Sequence, residues 1–554
     1  MVDGAALEDS GGPSPESGRE RIGRTFRARR GGLTLAVTSV LAASCGWLGE
    51  GWSRSPLVVV CVDGATWDVI DPMLERGELP NFRRLVERGA RCDLITLPPT
   101  QSPVIWTTYA TGVFPRVHNV LDFTYPYSRG GEKRPVEATE RRAPAIWNVA
   151  SDAGRSVGVV GYYVTEPAEV VNGFIVSDTL MEGWGGSTFP PELADELDVI
   201  SDPLQPHPIL SEFFAWDYDP KDGEEPTSPY QYPTQVVEGA VDHAVIRDEN
   251  VRSASLRLME REVDLFMAYS RIIDHASHRT WRYYDDTDFP DRAKATHRDL
   301  LDDVVPNAYR FVDRFLGELL ERCGEDANVV VVSDHGFGSA TGEYMIPDKR
   351  LARILTGAHR YDGILLAAGP DFREGTYEHV SLMDVAPLLM TLLDVPLSAE
   401  LPGRVPREML AERLLERGSL QTVERYESEW TFVDIAPASE EDDRRALEQL
   451  QALGYIDSST KAGRQGPSVV EDVWSGDGTL KLKTLSGELL FLLMRDRREE
   501  AEQLMSLLTR KDPEAAKAMP FYAISEAKRV EENFPFQVFG QGDVARFLRP
   551  WVRR

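Results

Sequence analysis

Three short clusters of acid and histidine residues follow apolar runs in this sequence: Asp63-Gly64, Asp274-His275-Ala276-Ser277-His278 and Ser333-Asp334-His335-Gly336. Carboxylates and imidazoles gathered in one pocket are ligands for zinc and similar divalent ions. Each cluster alone also has a plain structural reading, since Asp63-Gly64 suits a turn and Asp334 suits a helix cap. Together they point to one metal-binding pocket, provided the chain brings them to a common edge.

Ser102 adds a reactive group. It stands in Pro98-Pro99-Thr100-Gln101-Ser102-Pro103, ahead of a helical stretch that ends at Gly112. Serine before proline, with glycine closing the segment, predicts Ser102 as N-cap, Pro103 at the first helical position and Gly112 as the stop. The hydroxyl would then lie where the helix dipole favours an anion. Elsewhere such a serine is a plain cap; beside divalent cations it can be ionised into a nucleophile.

The elements that must position these groups read as α/β. Residues 57–63 (LVVVCVD) form a continuous apolar run ending in an acid, the pattern of a parallel strand buried on both faces. Runs at 155–163, 263–270, 328–334 and 363–369 repeat it, with helical patterns between them, for example at 80–88 and 307–322. Alternation of this kind implies a mostly parallel central sheet with helices on both faces. Ligands bind beyond the carboxyl ends of such strands, where all three clusters fall.

The ordered set of motifs resembles the alkaline phosphatase superfamily and, within it, the type I phosphodiesterase/nucleotide pyrophosphatase family. Asp63 matches an early strand-end aspartate, and Pro99-Thr100-Gln101-Ser102 a nucleophile turn. Asp274 with His278, Asp334 with His335, and His359 in Gly357-Ala358-His359-Arg360 match the remaining ligands. Segments 145–178 and 383–396 extend the similarity, which covers residues 55–407. The resemblance implies two divalent ions, zinc by default and manganese as the alternative. Asp63, Ser102, Asp334 and His335 would hold one; Asp274, His278 and His359 would hold the other. Ser102 would attack a phosphodiester or nucleotide pyrophosphate bond in a small phosphorylated substrate and pass through a phosphoserine intermediate. A phosphotransferase of the cell envelope, moving phosphoglycerol or phosphoethanolamine, would use the same site. A non-catalytic binding protein derived from the fold is the rival of another class, but all seven matched positions are present. The Cys/Ser-x-Pro-x-Arg setting of the related sulfatases is missing. Pro103 follows the nucleophile where the family has an aromatic residue, so no base-stacking platform is implied there.

Of the remaining candidates, Trp67 and Trp106 read as core packing, with a pocket wall as the alternative. His118, His275 and His379 read as structural, and His207, His243 and His297 as surface residues.

The net charge is −29, which disfavours nucleic acid and anionic lipid as partners. Only four cysteines occur, Cys45, Cys61, Cys92 and Cys323, too few for a disulfide scaffold. Cys61 lies within a strand pattern and reads as an inert buried thiol. Residues 1–50 read as a polar leader followed by an export signal: an arginine-rich stretch (Arg19 to Arg30), an apolar run, then Ala42-Ala43-Ser44-Cys45. The last four resemble a lipoprotein box, which would anchor the chain at Cys45 outside the cytoplasm; an uncleaved anchor or an ordinary signal peptide is the alternative. A catalytic domain is expected over 55–415. It carries an insertion at about 181–238, either a substrate-selecting cap or a surface loop. A helical region over 440–554 follows, with helices at 442–454, 479–495 and 498–511. The last two read as a packing appendage or, like a single tetratricopeptide-type repeat, as a protein-interaction hairpin.

Overall fold

Every residue of the Leu57–Val62 strand is buried, and its alternate side chains enter two different cores. Val58, Val60 and Val62 pack on one face of the sheet, and Leu57, Val59 and Cys61 on the other. A strand with period-two side chains needs both faces covered before every position can be apolar. Helices Trp67–Glu75, Pro80–Arg88, Val241–Leu258, Ile272–Tyr284 and Val304–Cys323 supply buried residues to the first core. Helices Ser102–Thr111, Ile146–Asp152 and Val385–Leu392 supply the second.

The computed structural model describes residues 55–552 apart from 129–130, 184, 202–206, 215–236, 238, 346–351, 353, 417–420, 435–438, 458, 465–470 and 534–540. The leader with Cys45, and most of the 202–238 stretch of the expected insertion, lie outside the described residues.

The main sheet runs Gly375–Thr376, Gly89–Ile95, Asp362–Ala368, Asn328–Val332, Leu57–Val62, Leu265–Ser270, Val157–Val160, Gly173–Val176, Thr188–Phe189. Its centre, from Asn328–Val332 to Gly173–Val176, is parallel throughout. The 363–369 run, grouped with the parallel strands by its apolar pattern, is instead antiparallel to both neighbours. Its entry explains the direction. The chain leaves the carboxyl edge after Val332 and makes an antiparallel ribbon of Gly336–Ser339 with Gly357–Arg360. It then re-enters the sheet at Asp362 from that same edge. Without a crossover helix the strand can only run back.

In the 181–238 segment, Thr188–Phe189 extends the sheet and the Pro208–Phe213 helix buries Ile209, Leu210 and Phe213 in the first core. Among the described residues after 470 there are four helices, where two were expected: Gly478–Met494, Arg498–Lys511, Pro513–Asn533 and Gln541–Val552. They share a core of their own that includes Leu485, Leu489, Leu508 and Val544. The first is also fused to the body. Phe491 sits in the second core, 5.5 Å from the Phe114 ring, and Glu488 pairs with Arg116 at 2.7 Å. Gly487 faces the Pro98 carbonyl so closely that a Cβ would lie 1.9 Å from the oxygen, so this helix braces the loop leading to Ser102.

Candidate active site

The three parallel strands at the sheet centre end side by side, at Val62, Ser270 and Val332, and Asp63, Asp274 and Asp334 follow within four residues. The Asp63 N–H donates to the Ser270 carbonyl at 2.8 Å, joining the ends of the first two. Ser333 Oγ accepts from Ala65 N and donates to the His335 carbonyl, both at 2.8 Å, joining the third. Gly64 turns with φ +79°, a conformation open to glycine, and its N–H reaches Asp334 Oδ1 at 3.3 Å. A Cβ at Gly64 would lie 3.0 Å from the Asp274 backbone and from the Phe337 ring. Asp274 and His278 share a face of the Ile272–Tyr284 helix, one turn apart. His359 stands opposite Phe337 in the ribbon.

These side chains meet. His335 Nε2 lies 3.2 Å from Asp63 Oδ1, 3.4 Å from Asp334 Oδ2 and 3.8 Å from Asp274 Oδ1. Asp274 Oδ1 lies 3.4 Å from His278 Nε2 and 3.2 Å from His359 Nε2. Two overlapping donor sets result, Asp63–Asp334–His335 and Asp274–His335–His359, each with its ligand atoms within 4.8 Å of one another. His335 stands between them, whereas the resemblance assigns it to the first set alone.

The donor chemistry fits cations. Asp63 Oδ1, Asp274 Oδ1, Asp334 Oδ2 and His335 Nε2 are all buried without a hydrogen-bond partner, and they are the atoms that point inward. Leaving one buried polar atom unsatisfied costs about 1–3 kcal/mol, so four in one place call for a ligand. The ring orientations agree. Nδ1 of His278, His335 and His359 faces the carbonyls of Gly357, Gly336 and Thr100 at 3.2, 3.1 and 2.9 Å. A carbonyl partner keeps the proton on Nδ1 and turns the Nε2 lone pair inward. The Nε2 atoms of His278 and His359 are 2.8 Å apart, a contact that repels unless a proton or cation is shared.

The carboxylates carry the strain of this crowding. Burial, and then the charges of Asp63 and Asp274, push the Asp334 carboxyl well above the usual range. Burial and Asp274 also raise Asp63, but the contacts with His335 and Tyr269 outweigh them and leave it lowered. Burial acts upward on Asp274 too, and His278 with His359 pulls it well below its ordinary value.

Ser102 is buried at the first turn of its helix. It is the first helical residue rather than the cap. Gln101 takes the cap position, its carbonyl accepting from Val104 and Ile105, and Pro103 occupies the second position. Gly112 closes the helix at φ +70° as expected. Both flanks of the serine are tied to the cluster: the Thr100 carbonyl to His359, and Trp106, one turn on, by an indole N–H donated to Asp63 Oδ2 at 3.1 Å.

Trp106 and Trp67 are core residues, as read from sequence, but Trp106 also serves Asp63. Tyr269 donates to the same Asp63 oxygen at 2.5 Å, and Tyr455 donates to Asp274 Oδ2. Neither tyrosine stood out in sequence. Tyr269 falls inside a strand pattern whose end drew attention instead, and Tyr455 lies 181 residues from its partner. His118 and His275 are structural: His118 Nε2 faces Thr108 Oγ1, and His275 Nδ1 faces the Ala240 carbonyl. Burial pushes both down to about 3. His379 is exposed, and His207 caps the Pro208–Phe213 helix, accepting from Ile209 N. His243 and His297 were expected at the surface, and both are buried. His243 lies on the Val241–Leu258 helix under Gln449, 206 residues away in the chain, and His297 packs near Tyr283 of the preceding helix. Cys61 and Cys92 are buried thiols raised by burial.

A mostly parallel central sheet with helices on both faces is an alkaline phosphatase-like fold, and the Asp/His cluster lies at the ends of its central strands. The sequence signature of the type I phosphodiesterase/nucleotide pyrophosphatase family matches residues 57–388, and the chain belongs to that family of metal-dependent enzymes. No curated protein sequence matches it. Among solved structures it is similar to murine ectonucleotide pyrophosphatase/phosphodiesterase 5, with 14% identity and a TM-score of 0.38 over 65% of this chain and 100% of that one. A mutant of the alkaline phosphatase PafA gives 13% identity and a TM-score of 0.43 over the same shares, 65% and 100%. Phosphonoacetate hydrolase from Sinorhizobium meliloti 1021 gives 20% identity and a TM-score of 0.32 over 53% of this chain and 59% of that one.

Proposed function

We propose that this protein hydrolyses a phosphodiester or pyrophosphate bond with Ser102 as nucleophile and two divalent cations, zinc by default, as cofactors. The observation that carries the reading is the set of four unsatisfied buried atoms, on Asp63, Asp274, Asp334 and His335, in a cluster that the residues flanking Ser102 contact through the Thr100 carbonyl and the Trp106 indole. Asp63, Ser102, Asp334 and His335 would hold one cation, and Asp274, His278 and His359 the other. Bound cations would supply Lewis acidity, favouring the Ser102 alkoxide and offsetting phosphoryl charge.

Within that frame the chain's own groups have separate tasks. Ser102 Oγ forms a bond to phosphorus as the bond to the leaving oxygen breaks, and water later cleaves the phosphoseryl ester. The Ser102 N–H, at the positive end of its helix, lacks an intrahelical acceptor and can face a non-bridging oxygen. Each Nδ1–H donates to a backbone carbonyl, which would hold the imidazoles with Nε2 turned inward as cation ligands.

A cavity of about 80 Å³ adjoins the cluster, lined by Phe123, Val136, Tyr163, Tyr269, Arg271 and Leu450 among others. Its wall also holds Asp178, Glu182 and Arg247, and Arg271 is paired with Glu182 at 2.7 Å, so the preference for a diester over a monoester rests on the family match and not on this cavity. The natural site of action we place outside the cytoplasm, on the strength of the 1–50 leader and Cys45. Among the described residues no helix is long and apolar enough to cross a membrane.

The test compares bis-p-nitrophenyl phosphate with p-nitrophenyl phosphate, in added zinc or manganese, for the wild type and Ser102→Ala. The expected result is cation-dependent cleavage, faster on the diester, that falls by at least about 10³-fold in the variant. Activity that survives Ser102→Ala rules out the nucleophile, and preference for the monoester rules out the diesterase.

A further inference from the structure

We infer that Tyr455, from the carboxyl-terminal region, is a positioning residue of the active site, fixing Asp274 so that only Oδ1 is offered to a cation. The inference rests on the two-cation reading above. Tyr455 lies outside the residues that match the family, and nothing in the motif set includes it.

The contact is specific. The Tyr455 hydroxyl donates to Asp274 Oδ2, while Asp274 Oδ1, its other oxygen, has no partner and faces the Nε2 atoms of His278, His335 and His359. One oxygen is saturated and the other left free. A carboxylate that can rotate presents either oxygen, or both. One anchored by an outer donor is already oriented, which is how outer contacts raise cation affinity.

The delivery of the hydroxyl is built into the local sequence. Ser439 caps the Glu440–Ala452 helix with a reciprocal bond to Asp442. The helix then ends in a Schellman turn: Tyr455 N donates to Leu450 O at 2.9 Å and Gly454 N to Gln451 O at 3.0 Å. Gly454 has φ +76°, which turns the chain back and aims Tyr455 inward. The ring then stacks on Phe123, with centroids 4.5 Å apart and planes 9° from parallel, and meets the His278 ring edge-on at 5.4 Å.

The whole segment is strapped to the body on either side of that turn. Gln449 Nε2 meets His243 Nδ1 at 2.9 Å. Arg464 bridges Asp443, on the helix, to Glu137 at 2.7 and 3.0 Å. Lys461–Ala462 pairs in parallel with Glu132 and Lys133. Such a set of restraints orients one side chain; a helix that served only as packing would not need to end at a ligand's second oxygen.

Calorimetric titration of the full chain, first stripped with chelator, with zinc alone measures the effect of Tyr455→Phe, which deletes the hydroxyl and keeps the ring on Phe123. The wild type is expected to bind two zinc ions. In the variant, affinity at one site should fall about 10- to 100-fold while the other holds its value and thermal unfolding stays cooperative. Equal affinities in both proteins overturn the inference. So does a parallel loss at both sites with loss of cooperative unfolding, which would make Tyr455 merely structural. A wild type that binds no zinc, and no manganese in a parallel titration, overturns the two-cation reading itself, and this inference with it.

Discussion

Asp334→Asn offers the sharpest separation between folding and function at this site, because it should stabilise the cation-free protein while disabling it. Asp334 is fully buried, and its side chain and that of Asp63 bring ligand oxygens within 4.8 Å. At ~4.8 Å, with an effective dielectric of ~20, two unit charges repel by about 3.5 kcal/mol. The Gly64 N–H on Asp334 and the Tyr269 hydroxyl on Asp63 offset part of this, leaving an expected gain of about 1–3 kcal/mol when one charge is removed. Asparagine keeps an oxygen for the Gly64 N–H and can turn an N–H₂ toward Asp63, so no buried group is orphaned by the change.

The pH dependence sets the sign. The folded Asp334 carboxyl lies above its unfolded value, so its contribution is fully present below pH ~3.9 and is lost as pH rises through the folded value. The gap between variant and wild type should therefore be absent in acid and widen toward pH 8. Thermal melts of chelator-treated proteins at pH 4, 6 and 8 measure it. Zinc should raise the melting temperature of the wild type at pH 8 and do much less for the variant, whose activity should drop by more than ~100-fold. A variant less stable than the wild type at pH 8 without cation would refute the argument from carboxylate repulsion. One that zinc stabilises as fully as the wild type would refute the assignment of Asp334 as a ligand.

Two further substitutions probe the frame around the site. Gly64→Ala forces a Cβ into a left-handed turn already 3.0 Å from the Asp274 backbone and the Phe337 ring. The expected cost is about 1–3 kcal/mol in chemical denaturation, with reduced diesterase activity; an unaltered midpoint would show that the turn relaxes freely. Asp362 opens the antiparallel strand, and burial raises its carboxyl to about 7. Its contribution to stability should thus be complete below pH ~4 and lost as pH rises to about 7, so Asp362→Asn should flatten that decline in a pH series of melts. An unchanged slope would mean that the group titrates normally in the folded protein.

Much of the site was legible along the chain because its determinants are local. Asp63, Asp334 and His335 are marked by the apolar runs that end just before them, and Asp274 with His278 by one helical turn. Ser102 is marked by its proline and by the glycine ten residues on. A buried strand, a turn of helix and a helix start each depend on a few neighbouring residues, so their residue patterns carry them.

What the tertiary structure decided involves partners far apart in the chain. The apolar pattern of 363–369 carries no direction; the ribbon that returns the chain to the same edge makes that strand antiparallel. His243 follows Asp242, and His297 sits between Thr296 and Arg298, yet both are covered by other elements. Trp106 and Tyr269 reach Asp63 from a helix and a strand on the same side of the sheet, and Tyr455 reaches Asp274 from beyond the family's matched segment. No local periodicity encodes a donor 181 residues from its acceptor. That bond exists because the sheet, the ribbon and the strapped helix bring both ends to one place.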